Sequence, residues 1–236
     1  PTQWHVGSRP KIKVAVKNSR LLAALVLAGL FGVVAVIYLT RPREPVYDGK
    51  PVSYWVRGLA SIQMTHSEAS NKAFQHIGTN GLPVLIKMLR TKDSKVKLWL
   101  RNLYHKQSLV HHHFTLAEED RISAVLGFSE LGSLAKPAVP ALLDLLADEE
   151  ISEDAARALA AIGSEAVELL ISALTNRNQK IRLGAIAALG GVGSNARQAV
   201  PALSGCLRDE QSTVRLAAVE ALKKINPEPL VKGRTE

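Results

Sequence analysis

A single cysteine, Cys206, is all the thiol chemistry in this chain of 236 residues. One thiol excludes an internal disulfide framework and any cysteine-built zinc site, and its place in an apolar helical stretch reads as a small buried hydrophobe. Aromatic residues are sparse too, at 5% against a hydrophobic content of 47%. The interior must therefore be built from Ala, Leu, Val and Ile, which suits stacked helices better than a sheet. Catalytic signatures are missing: there is no phosphate-binding glycine loop and no Gly-x-Ser-x-Gly elbow, and nothing in the sequence near Cys206 would activate it. Gly184, Gly190 and Gly191 fall in a repeat helix and its end, where packing or a bend accounts for them. His111, His112 and His113 are consecutive, so they point in different directions on any regular backbone. No Glu-x-x-His or His-x-x-x-His pattern accompanies them. They read as an exposed connection, and no metal, cofactor or small-molecule ligand is expected.

Charge is also missing where it says most. Residues 1 to 20 contain no acidic group but carry Arg9, Lys11, Lys13, Lys17 and Arg20. Leu21 to Leu39 follows with no charge at all. As a helix those 19 residues would be about 28 Å long, close to the roughly 30 Å hydrocarbon thickness of a bilayer. A soluble helix shows a polar face and this stretch has none, so it is expected to span a membrane. The apolar segment exceeds a usual signal-peptide core and runs into Tyr38, Leu39, Thr40, Arg41 and Pro42 without a small-x-small cleavage site, which favours an uncleaved signal anchor. The excess of Lys and Arg before the segment places the leader in the cytoplasm and the rest of the chain outside it.

The overall charge of +9 belongs mostly to this leader. Residues 1 to 57 hold nine Lys or Arg against Glu44 and Asp48, a balance of +7, which leaves +2 for the remainder. A near-neutral remainder argues against a duplex-binding groove, so nucleic acid is not expected as a partner.

What the chain does have is repetition. From Leu134 to Asn226 it says nearly the same thing three times, closing each copy with Ile162-Gly163, Val192-Gly193 or Ile225-Asn226. Ala155, Ala185 and Ala218 correspond, as do Ala158, Ala188 and Ala221, and Leu159, Leu189 and Leu222. A period of roughly 30 residues marks an architecture whose units bury their apolar faces only by stacking. Each copy has an apolar helical stretch such as Val139, Leu142, Leu143 and Leu146, a polar turn, and a second, Ala-rich helical stretch. The fold class is all-α, an α-solenoid of antiparallel helix pairs preceded by one transmembrane helix.

The register continues toward the N-terminus. Ser70, Ala73, Phe74 and Ile77-Gly78 match a second helix, and Gly81, Pro83, Leu85 and Leu89 match the next first helix. Val96, Leu100, Leu103 and Tyr104 are expected to be its second helix, with Ser108 where Gly would close. From Ser108 to Gly132 the spacing is too short for a hairpin. There SLVHHHF stands in for a first helix, and Thr115 with Glu118 forms a capping box for a helix ending at Leu131-Gly132. The resulting boundaries are a leader over 1–20, the anchor over 21–39, a Pro-rich linker and capping helix over 40–65, the solenoid over 66–226 and a polar tail over 227–236. Tyr54 and Trp55 serve either the solenoid's end or the membrane interface, the cap being favoured.

These features resemble the HEAT-like repeat family, most closely where Pro140-Ala141-Leu142 and Pro201-Ala202-Leu203 open first helices; Glu168 replaces the Pro in the copy between them. The segment Tyr47, Gly49, Lys50, Pro51, Ser53 and Trp55 is similar to the one preceding HEAT repeats in bacterial membrane-anchored proteins. The resemblance implies that second helices line the concave surface and that basic residues near their starts bond loop carboxylates. Such residues stand eleven before each closing residue, at Lys97, Arg121, Arg182 and Arg215, interrupted by Ser67 and Ser152. They read as structural pairing or as a concave groove for an acidic partner. Together with Arg101 they are the candidate partner-binding residues. A second cluster, Lys87, Arg90, Lys92 and Lys95, makes the membrane-proximal part basic, suited to anionic headgroups or an acidic partner. The function this implies is a non-enzymatic, membrane-tethered scaffold binding a protein partner. The alternative is an enzyme like the HEAT-like bilin lyases or isomerases.

Overall fold

The computed structural model describes residues 44–60, 64–105 and 116–226, with Ala24, Leu25, Ala28, Gly29, Phe31 and Gly32. Apart from those six positions, which are helical, the expected span over 21–39 lies outside the described residues, as do the leader, His111 to His113 and the C-terminal tail. Among the described residues no helix is long and apolar enough to cross a membrane. Residues 1–43 and 44–236 form separate compact units, and the second contains the solenoid.

The second unit opens on a small hairpin, β1 (Val46–Tyr47) paired with β2 (Lys50–Pro51). Asp48 and Gly49 both have positive φ at the turn, the geometry that matches the twist of a two-residue hairpin. The hairpin folds onto α1 (Val52–Leu59), where the Trp55 indole N–H donates to the Tyr47 carbonyl at 3.0 Å. The Glu44 carboxylate accepts the Ser53 N–H, supplying the cap that Pro51 cannot. Val52, Trp55 and Val56 are buried in the core, whereas Tyr54 is on the surface. Trp55 thus closes the N-terminal end of the stack.

After α1 and α2 (Met64–Ile77) the hairpins follow. The first helices are α3 (Leu82–Leu89), α6 (Val139–Leu145), α8 (Ser164–Ala173) and α10 (Val200–Cys206). The second helices are α5 (Ala117–Leu131), α7 (Ser152–Ile162), α9 (Gln179–Val192) and α11 (Ser212–Ile225). Pro83, Pro140 and Pro201 sit in the first turns of α3, α6 and α10, where the missing N–H costs no helical bond. Second helices end at Gly132, Gly163 and Gly193, all with positive φ. A side chain would be strained there, so glycine lets the chain reverse at once.

Successive second helices pack along most of their lengths, while successive first helices meet only locally. The layer of second helices therefore lies on the inside of the curve. Small residues permit that approach. A Cβ on Gly191 would lie 2.7 Å from the Ala160 Cβ of α7, and one on Gly190 would meet the Ala221 backbone of α11 at 3.2 Å. Between the layers runs one continuous core that includes Leu85, Phe128, Leu142, Leu146, Leu159, Leu170, Leu189 and Leu203.

One expectation about the register needs correction. The stretch containing Val96, Leu100, Leu103 and Tyr104 is helical, as α4 (Lys95–His105), but it is not the second helix of the α3 hairpin. That place belongs to α5, which packs on α1, α3 and α7. Two polar contacts show the splice. In the later hairpins Arg182 Nη1 donates to the Asn176 carbonyl and Arg215 Nη1 to the Asp209 carbonyl, each six residues back. Arg121 makes the same bond to the Thr91 carbonyl from 30 residues away, a surplus of 24 residues. Likewise Asp148, Asn176 and Asp209 each accept the N–H two residues on, whereas Asp93 accepts the N–H of Ala117, 24 residues on. The hairpin α3–α5 is complete, with α4 inserted in its turn. Helix α5 has no side-chain cap of its own at Leu116, and Asp93 takes the first N–H instead. Thr115 lies outside the described residues.

Candidate binding surface

The basic residues found by spacing are already committed, Arg121 and Arg182 to acids of the next hairpin and Lys97 and Arg215 within their own turns. Arg182, on α9, donates through Nε and Nη2 to both carboxylate oxygens of Asp209 at 2.9 and 3.0 Å, in the loop before α11. Its Nη1 also bonds the Asn176 and Arg177 carbonyls. Arg121, on α5, pairs with Asp154 on α7 at 2.8 Å. Arg57 reaches Asp120 one step earlier, also at 2.8 Å. Arg215 closes its own loop through the Asp209 and Glu210 carbonyls. The guanidinium groups of Arg57, Arg121 and Arg182 staple each unit to the next, and the planar fork of Arg suits them to it. Ser152, in the ladder position of α7, is the first residue of a shorter helix, 11 residues against the 14 of α9.

The staple leaves a mark on the acids. The Arg182 hydrogen bond and the Gln211 N–H hold the Asp209 carboxyl below the ordinary aspartate value of 3.8. Lys92 does the same for Asp148, bonding it at 2.6 Å across the turn. For Asp93, burial pushes upward, but Lys97 and the Ala117 N–H together outweigh it and lower the carboxyl. Lys97 is thus engaged at 2.6 Å with its own turn.

The remaining basic candidates sit at the N-terminal end. Lys87 and Arg90 lie at the end of α3, with Lys87 3.7 Å from Glu44. Lys92 also approaches Glu150. Lys95 and Arg101 lie on the inserted helix with no ion pair to any described residue. The structure does not gather the ladder and this cluster into one groove.

What does face solvent on the inner layer is a pair of rows that the sequence reading did not single out. They fall one and five residues after each ladder position: Ile122 and Leu126, Glu153 and Arg157, Leu183 and Ala187, Leu216 and Glu220. Ile122 and Leu126 are exposed large hydrophobics on α5, and Leu216 is 68% exposed on α11. Between them Arg157 bonds Asp154 at 3.0 Å and leans on Glu153. Helical periodicity alone would have found these rows once the ladder was placed, because a residue one or five beyond an inter-helix contact turns away from it. The face is apolar at its N-terminal part, charged in the middle and narrow where Ala187 and Gly191 lie.

Among the described residues no group of three or more His, Cys, Asp or Glu side chains converges as a metal site. Cys206 is buried, and burial raises its thiol pKa, which keeps it protonated and inert.

Comparison with known proteins agrees with the repeat geometry. Residues 167–232 match the model of HEAT repeats, and residues 153–176 match that of the PBS lyase HEAT-like repeat. Residues 153–232 of the chain thus carry HEAT-like repeats. Among solved structures, it is similar to an engineered protein at 22% identity, covering 74% of this chain and 96% of that one, with a TM-score of 0.29. It is also similar to a designed armadillo repeat protein at 18% identity, covering 75% and 100%, with a TM-score of 0.28. Neither adds to what the repeat geometry says about the fold. No curated protein gives a significant match.

Proposed function

We propose that this chain is a non-enzymatic scaffold that binds a protein partner on the inner face of its second helices, tethered to a membrane through residues 21–39. The observation that carries the reading is the division of labour on that layer. The ladder arginines are spent on holding hairpins together, and the rows beside them, from Ile122 and Leu126 to Ala187 and Leu216, are left to solvent. A curved row of many shallow contacts suits an extended or helical segment of another protein, and the exposed apolar side chains of Ile122 and Leu126 offer it anchoring contacts. The leader is placed in the cytoplasm and the solenoid on the opposite side by the excess of Lys and Arg before residue 21.

The test compares co-purification with the full chain against the same chain carrying Leu126→Glu or Ala187→Glu. These positions are exposed, so the fold tolerates the change while binding is lost. A partner retained equally by both variants and lost with an outer-face change such as Glu168→Lys would sink the assignment. Topology is read separately, with Cys206→Ala and a reporter thiol at exposed Ser194. Labelling by a membrane-impermeant maleimide in intact cells supports the orientation; labelling only after lysis reverses it.

The match of residues 153–176 to the PBS lyase HEAT-like repeat favours a second reading, a bilin lyase or isomerase type of enzyme. Incubation with a linear tetrapyrrole decides it: an unchanged absorbance spectrum removes that reading, and a shifted one revives it.

A further inference from the structure

Helix α4 stands outside the alternation of first and second helices. It is spliced into the turn of the first full hairpin, pinned below by Asp93 on the Ala117 N–H and by Arg121 on the Thr91 carbonyl. Ser94 caps it, accepting the Lys97 N–H. Such a helix would ordinarily bury its large apolar residues. Instead Val96 is 65% exposed and Trp99 61% exposed, three residues apart and so on one side of the helix. Lys95, four residues before Trp99, lies on that side without an ion pair among the described residues, while Arg101, five beyond Val96, turns away from it and Lys97 is engaged with Asp93.

We infer that α4 is an interfacial helix that docks on an anionic lipid bilayer, with Trp99 and Val96 entering the headgroup boundary and Lys95 meeting a lipid phosphate. The chemistry favours lipid over an acidic protein groove on two grounds. Tryptophan beside an unpaired lysine is a composition that partitions to the water–bilayer boundary. Helix α4 also carries no acidic residue of its own, so nothing on it is repelled by an anionic surface. The inference stands beside the tether reading and does not require it, since an anchor at residues 21–39 would only raise the local concentration of lipid.

The experiment uses the full chain carrying Cys206→Ala and Val96→Cys, labelled with an environment-sensitive fluorophore. It is reconstituted in phosphatidylcholine bilayers with or without phosphatidylglycerol, both containing nitroxide-labelled lipid. The expected result is blue-shifted emission and at least about fivefold more bilayer-contacting label with the anionic lipid, reversed by high salt and by Lys95→Glu. Trp99→Ser weakens it, and a label at Leu216→Cys on α11 does not respond. Equal emission in both bilayers, or a response that survives the charge reversal, overturns the inference. Protection of the Val96 label in native membranes without any response to lipid assigns α4 to a protein partner and overturns it as well. Resistance of the same sample to alkaline extraction reports the tether independently, so failure of the anchor and failure of α4 docking are told apart.

Discussion

Replacing Arg182 by Ala separates a structural staple from a binding residue. The side chain makes four hydrogen bonds, two to Asp209 and two to the Asn176 and Arg177 carbonyls. Both partners of the ion pair keep only 14% of their side-chain surface exposed, so solvent screens the interaction less than on an open surface. Truncation removes all four bonds and leaves Asp209 with the Gln211 N–H alone among its described donors. With charge-assisted bonds near 1.5–3 kcal/mol each and strong non-additivity, a loss of about 2–4 kcal/mol is expected. For a domain of this size that lowers the melting temperature by roughly 5–15 °C. The pH dependence has a definite sign. Asp209 is depressed by Arg182 in the folded state, so its contribution is full above about pH 3.8 and is lost as pH falls through the folded value. The deficit of Arg182→Ala should therefore be constant near neutrality and shrink below about pH 3.8, followed by urea melts across pH. A variant within about 0.5 kcal/mol of the parent at neutral pH, or a deficit that widens in acid, would refute the staple.

Other perturbations follow from the same geometry. Deleting Lys92 to Thr115 restores the turn length of the later hairpins and should leave one cooperative melt within about 5 °C of the parent, read by circular dichroism; loss of folding would mean that α4 belongs to the stack. Gly191→Ala places a methyl 2.7 Å from the Ala160 Cβ, so overpacking of about 1–3 kcal/mol exceeds the gain in helix propensity. Adding Ala160→Gly should recover part of that loss in chemical denaturation. Leu146→Ala empties a fully buried site against α9 and should cost about 2–5 kcal/mol.

Most of the solenoid was legible because its signals are local. The Ala and Leu positions of three copies, the first-turn prolines and the closing glycines each report on a few neighbouring residues, and the observed hairpins and positive φ angles follow them. The insertion was not legible for the opposite reason. Val96, Leu100 and Leu103 have the spacing of a second helix, and only a contact from Arg121 back to Thr91 shows that α5 fills the role. The candidate surface was half legible. Spacing located Arg121, Arg182 and Arg215 but not the acids that the first two hold, because Asp154 lies 33 residues and Asp209 27 residues further along the chain. Once those arginines are occupied, the solvent-facing rows follow from helical period alone.

Site-specific photo-crosslinking tests the binding surface most directly. A photoreactive residue is placed in the full chain at Leu126, Arg157 or Ala187 on the inner face, and at Asp144, Glu168 or Ser204 on the outer one. In the cells that make the protein, the inner positions are predicted to yield one common protein adduct that disappears with Ala187→Glu introduced elsewhere on the same face. Adducts from the outer positions alone, or the same adduct from every position, would contradict the account.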